Sequence, residues 1–81
     1  MPKPFKVIRR RLGRERAAGQ AVFGDGLVEI DPRESPYEQL DTIIHESIHL
    51  LDPEMSEEQV DAWARKISIT LWRQKYRRVD Q

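Results

Sequence analysis

Thr42-Ile43-Ile44-His45-Glu46-Ser47-Ile48-His49-Leu50-Leu51 is the stretch that decides the fold and the chemistry. Its apolar residues recur at helical spacing. Its two histidines stand four apart, which on a helix is one turn along the same face. Both imidazoles then reach one tetrahedral metal ion at roughly 2.0–2.1 Å. Glu46, the next residue after His45, leans over the same ion and can take a proton from a water that the ion activates. The chain of 81 residues has only 2 histidines, so this spacing uses every imidazole available.

The helix around this stretch runs from about Tyr37 to Leu51. Leu40, Ile44, Ile48 and Leu51 form one apolar stripe, widened by Ile43, while Asp41, His45 and His49 form a separate one. The histidines are therefore expected beside a cleft, off the core face proper. Asp52-Pro53 ends the helix. Ser56-Glu57-Glu58-Gln59 matches a capping box and opens a second helix. Glu57 and Glu58 suit the dipole at its start, and Arg73, Lys75, Arg77 and Arg78 suit its end, placed at about Arg77. Val60, Ala64, Ile67 and Leu71, with Trp63 beside them, form its main apolar stripe. Ile69, Trp72 and Tyr76 form a second, which is assigned to packing on the sheet in preference to a dimer contact.

Upstream, Phe5 to Leu12 reads as a first strand with mixed apolar and basic positions. Gly13 to Gly19 is a turn or loop. Gln20-Ala21-Val22-Phe23 and Leu27-Val28-Glu29-Ile30 flank Gly24-Asp25-Gly26, a hairpin signal because such a turn needs positive φ at its centre. Asp31 to Pro36 leads out of the hairpin. The expected fold is α+β: a small antiparallel sheet of about three strands, one pair a hairpin, followed by two helices, in a single domain over residues 1–81.

The totals bound what this domain can be. A chain this short gains only a few kcal/mol from its core, and small scaffolds often add a staple. There is no cysteine, so the staple is neither a disulfide nor a thiolate site, and a metal clamped between two helices would serve. No apolar run is long enough to span a membrane. The first residues, Met1-Pro2-Lys3-Pro4-Phe5, lack a signal core. A cytoplasmic location is expected.

The formal net charge of +0 conceals a pattern. Residues 1–24 carry seven Lys/Arg and one Glu, residues 25–62 twelve acids and one Arg, and residues 63–81 six Lys/Arg and one Asp. An acidic centre between basic ends suits a cation site in the middle. The run Arg9, Arg10, Arg11, Arg14 and Arg16 is able to meet phosphate, yet such runs commonly guard a solvated edge strand. The chain as a whole is not basic, which argues against nucleic acid as the main partner.

Two histidines do not complete a catalytic metal site, which takes three protein ligands and an open position. The third must be a carboxylate, from among Asp52, Glu54, Glu57, Glu58 and Asp61. Glu57 is preferred because it opens the second helix, where a helix hairpin places it beside the histidines; Glu54 is the second choice. Asp61 shares a face with Glu57 and is suited to accept the outer N–H of a ligand histidine.

His45-Glu46-x-x-His49 followed by Glu57-x-x-x-Asp61 resembles the gluzincin metallopeptidases. Glu57-Glu58-Gln59-Val60-Asp61-Ala62-Trp63-Ala64 is also similar to the second-helix signature of small HExxH proteins of phages and prokaryotes, including a group that cleaves phage repressors. The likeness covers about residues 20–72. It implies a minimal zincin-like core in which His45, His49 and Glu57 bind Zn2+, Glu46 is the general base and Asp61 orients His45. The chain departs from the family in its brevity, in the short gap from His49 to Glu57 and in the lack of a further histidine to steady an oxyanion. For that last part only Tyr37 and Tyr76 remain, and a structural role is expected of both.

The expected function is therefore a zinc-dependent hydrolase of peptide bonds, with a peptide or protein substrate, no membrane partner and a homodimer as an open option. A free sheet edge would bind the peptide as an added strand, with Val28 and its neighbours alongside it. The rival readings are an inactive zinc-stapled adaptor and a small nucleic-acid-associated protein using its basic ends.

Overall fold

A computed structural model describes residues 2–13, 19–22, 24 and 26–79. Strands β1 (Lys6–Arg9), β2 (Gly19–Val22) and β3 (Leu27–Ile30) precede helices α1 (Pro36–Leu51) and α2 (Glu57–Arg73). The α+β class and the order of sheet before helices match the sequence expectation. The chain stacks in three layers, with α1 on the sheet and α2 on α1.

The sheet order is β1-β3-β2. β2 and β3 form the expected antiparallel hairpin, with Ala21 opposite Val28. Gly26 takes a φ of 58° at its turn, a conformation that glycine adopts without steric cost. β1, however, runs parallel to β3, so the sheet is mixed, not antiparallel. The reason lies in composition. β3 is the most apolar strand, and Val28, Glu29 and Ile30 are all buried, so it takes the middle, where both neighbours bond it. The basic β1 is left an edge, where charge discourages further pairing. Val28 therefore has no free side for a substrate strand; the open edges belong to β1 and β2. Phe23 and Asp25 of the expected hairpin, and Arg14 and Arg16 of the basic run, lie outside the described residues. Arg9 donates to Gln39 Oε1 at 3.1 Å and Arg10 pairs with Glu29, so these two basic side chains serve internal contacts.

Asp31 ties the end of β3 to the segment after β1. Its carboxylate accepts from the Leu12 and Arg33 backbone amides at 3.3 and 2.9 Å, and from Arg33 Nε at 2.9 Å. The Arg33 guanidinium, helped by these amides, holds the carboxyl well below the usual range. Ser35 then caps α1. Its hydroxyl oxygen accepts from the Glu38 amide at 3.2 Å, its O–H donates to Glu38 Oε1, and Pro36 occupies the first helical position. This N-cap starts the helix one residue before the expected start.

α1 ends at Asp52, whose amide donates to Ile48 O at 2.8 Å. A tight turn returns the chain through Ser56, which caps α2 by accepting from the Gln59 amide at 3.2 Å. The buried column of α2 is Val60, Ala64 and Ser68. Trp63 and Ile67, expected in or beside that stripe, are 49% and 43% exposed. The second stripe does not lie on the sheet. Trp72 meets Tyr37 of α1 edge to face at 5.4 Å, while Ile69 and Tyr76 are exposed. α1 separates α2 from the sheet, which is why that contact is denied. Among the described residues, no helix is long and apolar enough to cross a membrane.

α2 stops four residues before the expected end. Tyr76 N donates to Leu71 O and Lys75 N to Trp72 O, at 3.1 and 3.0 Å. Lys75 sits at φ 69°. These are the two bonds of a Schellman stop, with a lysine in the left-handed position that glycine usually fills. Nothing in the run of basic residues signals it.

Two measurements follow from these joints. Lys75→Gly removes the Cβ strain and is expected to stabilise the fold by about 0.5–1 kcal/mol, read as a higher midpoint in urea. The folded Asp31 carboxyl is more acidic than the unfolded one. Its contribution is therefore complete above about pH 4, the ordinary unfolded value, and drains away as pH falls below that. Asp31→Asn is expected to lower stability at neutral pH and to flatten the acid limb of a stability-versus-pH curve.

Candidate metal centre

The antiparallel return of α2 brings three donors together. His45 Nε2 lies 2.7 Å from Glu57 Oε1, His49 Nε2 lies 2.9 Å from Glu57 Oε2, and the two Nε2 atoms are 3.2 Å apart. The imidazoles meet edge to face at 4.9 Å. Donor atoms around a tetrahedral ion with bonds of about 2.0–2.1 Å stand about 3.3 Å from one another. The observed spacings match that pattern, slightly drawn in, and the group of His45, His49 and Glu57 could hold a metal ion. Among the described residues no other set of such side chains converges in this way.

Around the three donors stands their support. Asp61 Oδ1 lies 3.1 Å from His45 Nδ1. With the proton on Nδ1, that contact turns Nε2 toward Glu57 and leaves it as a donor atom for an ion. Glu57 and Asp61 are spaced one turn apart on α2, and their face meets the histidine face of α1. Glu54 is outside the group; its amide donates to Asp52 Oδ1 in the interhelix turn. Asp52 and Glu58 are likewise not among the converging donors.

Glu46 lies on the sheet side of α1 and is 8% exposed. No side-chain hydrogen bond to it occurs among the described residues. Burial pushes its carboxyl above the ordinary glutamate range, and the charges of His45 and His49 pull it partly back. A carboxylate with a raised pKa, open to a cleft and beside a cation site, suits a general base.

A cavity of about 510 Å³ joins these groups. His45, Glu46, His49 and Glu57 line one end, and Glu34, Glu38 and Asp41 the other. Gly19 brings β2 against it, where a Cβ would stand 2.5 Å from Thr42 Cγ2 and 2.8 Å from Glu29 O. Such contact would push β2 off α1. Tyr37 also lines the cavity, but its hydroxyl is 3.1 Å from Ser68 Oγ, which donates to Asp41 Oδ1 at 3.0 Å. That network fixes α1 to α2. Ser68, wholly buried, carried no sequence signal, since a serine amid a helical stripe reads as a solvent position.

The donor set predicts that a divalent cation stabilises the fold. At 100 times its dissociation constant such an ion contributes about 2.7 kcal/mol. That corresponds to a rise of roughly 10 °C or more in Tm for a domain this size. Scanning calorimetry with zinc against a chelator should show this rise in the wild type and in Glu54→Ala, and lose it in His45→Ala and Glu57→Ala.

No family model matches the chain, and neither a curated protein nor a solved structure does.

Proposed function

We propose that the protein is a minimal zinc-dependent metallopeptidase of the gluzincin kind. The observation that carries this reading is the meeting of His45, His49 and Glu57 at ligand spacing with a buried carboxylate, Glu46, opening into the same cleft. Asp61 on His45 Nδ1 supports it further. Imidazole and carboxylate donors without thiolate suit zinc among several divalent ions.

When bound, zinc would lower the pKa of a water toward 7 and polarise a carbonyl oxygen. The residues of the chain divide the remaining work. Glu46 accepts the proton of the attacking water and delivers it to the departing amine. Asp61 holds the His45 ring in one tautomer throughout. The outer edge of β2, drawn against α1 at Gly19, offers backbone groups to an extended peptide.

A second reading has its own support. α2 is held to α1 by a narrow column, with only Val60, Ala64 and Ser68 fully buried along it, so an ion between the helices would also act as a structural staple. Glu46→Gln separates the two readings. A peptidase loses at least about a hundredfold in kcat through that change, while its zinc content, by mass spectrometry, and its Tm stay near wild type. A stapled adaptor shows no hydrolysis to lose and keeps its partner binding in the variant.

A further inference from the structure

The two basic ends of the sequence take no part in the metal centre, and the fold brings them together. A second cavity, of about 180 Å³, lies between the end of β1, the first turns of α1 and the segment after α2. It shares no lining residue with the metal cleft. Arg9 enters it from the N-terminal basic block, and Arg77 and Arg78 enter from the C-terminal one. Half-buried Leu40 and Ile43 of α1 and Trp72 of α2 supply its apolar walls. No carboxylate is among the described residues that line it. Guanidiniums beside apolar walls, with no acid between them, suit a ligand that is anionic at one end and apolar at the other.

The Arg77 guanidinium is already set for such a ligand. The left-handed turn at Lys75 reverses the chain after α2. Arg77 thereby comes back over Trp72, 3.4 Å from the ring centroid. Its Nη1 donates to Trp72 O at 2.6 Å. Stacking uses the face of the group and hydrogen bonding its edge, so both are made at once. The other N–H donors of Arg77 make no hydrogen bond among the described residues, and no carboxylate pairs with it there. A group held this way loses little further freedom on meeting an anion.

We propose that this pocket captures the C-terminal end of a polypeptide whose last residue is apolar, with its carboxylate on Arg77 and its side chain against Leu40 and Ile43. A chain terminus is ionised at neutral pH. Its planar carboxylate offers two oxygens to the fork of one guanidinium. Volume limits the occupant. At about 180 Å³ the cavity is smaller than the roughly 300 Å³ at which sites for drug-sized ligands begin, which favours one terminal residue over a nucleotide. The pocket binds and does no chemistry, and its occupancy requires no ion in the metal cleft.

The test uses full-length Glu46→Gln protein throughout, so that hydrolysis cannot consume a probe. Fluorescein-labelled Gly-Ser-Gly-Ser-Ala-Leu is titrated as the free acid and as the C-terminal amide, and anisotropy reports binding. The acid is expected to bind about tenfold tighter than the amide, and about tenfold tighter than the same peptide ending in glycine. Arg77→Gln should remove the preference for the acid while keeping the urea midpoint of its parent. Arg77→Lys keeps the charge without the fork and should retain only part of the preference. Arg65→Gln, which takes a like charge from the other cleft, should leave the preference intact. Equal binding of acid and amide, no binding of the acid below about 1 mM, or an equal loss in Arg77→Gln and Arg65→Gln would overturn the proposal. Tighter binding of a labelled oligothymidylate than of the acid, lost in Arg77→Gln, would also overturn it and give the pocket to a nucleic-acid backbone.

Discussion

Glu57 spans the two helices, one carboxylate oxygen toward each histidine, and the rest of the molecule is arranged so that this contact is possible. The glutamate is the first residue of α2, so its position depends on where α2 begins. Ser56 sets that start by capping, and the end of α1 at Asp52 sets the length of the turn before it. Farther along, Ser68 and Trp72 bind α2 to Tyr37 at the other end of α1. The helix pair is thus pinned at both ends, by polar groups and rings. Between the pins lie only small or medium side chains, Val60 and Ala64.

The sheet serves this pair as a base. β3 supplies Val28 and Ile30 to the core, and Leu12 closes it beside Asp31. Because α1 lies between sheet and α2, its residues must satisfy two neighbours. Thr42 and Glu46 are buried, while Asp41, His45 and His49 line the open cleft. One helix therefore carries a buried carboxylate and partly exposed imidazoles within a single turn.

Much of this was legible in the sequence because it is local. The hairpin, both helices, the Ser56 cap and the His45, His49, Glu57 and Asp61 set follow from spacings of up to sixteen residues, which propensity and periodicity record. The parts that were not legible depend on partners far along the chain. The parallel pairing of β1 with β3 reflects competition for the central place in the sheet, which no single strand's pattern reveals. Ser68 is buried because Tyr37 and Asp41, on the other helix, supply its hydrogen bonds. Ile67 and Trp63 are apolar at helical spacing and still face outward, since a helix that rests on a single neighbour buries only a narrow column. The stop at Lys75 is a backbone event, and lysine gives no hint of it.

Ala64 and Ser68 have a consequence for the candidate metal centre, although neither touches it. Their size sets how closely the two helix axes approach, and the distance between axes sets the gap that Glu57 must bridge. The pair works as a caliper with its jaws at His45, His49 and Glu57. A bulkier residue at Ala64 would act as a shim, opening the jaws before any of the three donors was altered. The bite of the site is thus gauged by residues along the hinge side of the instrument.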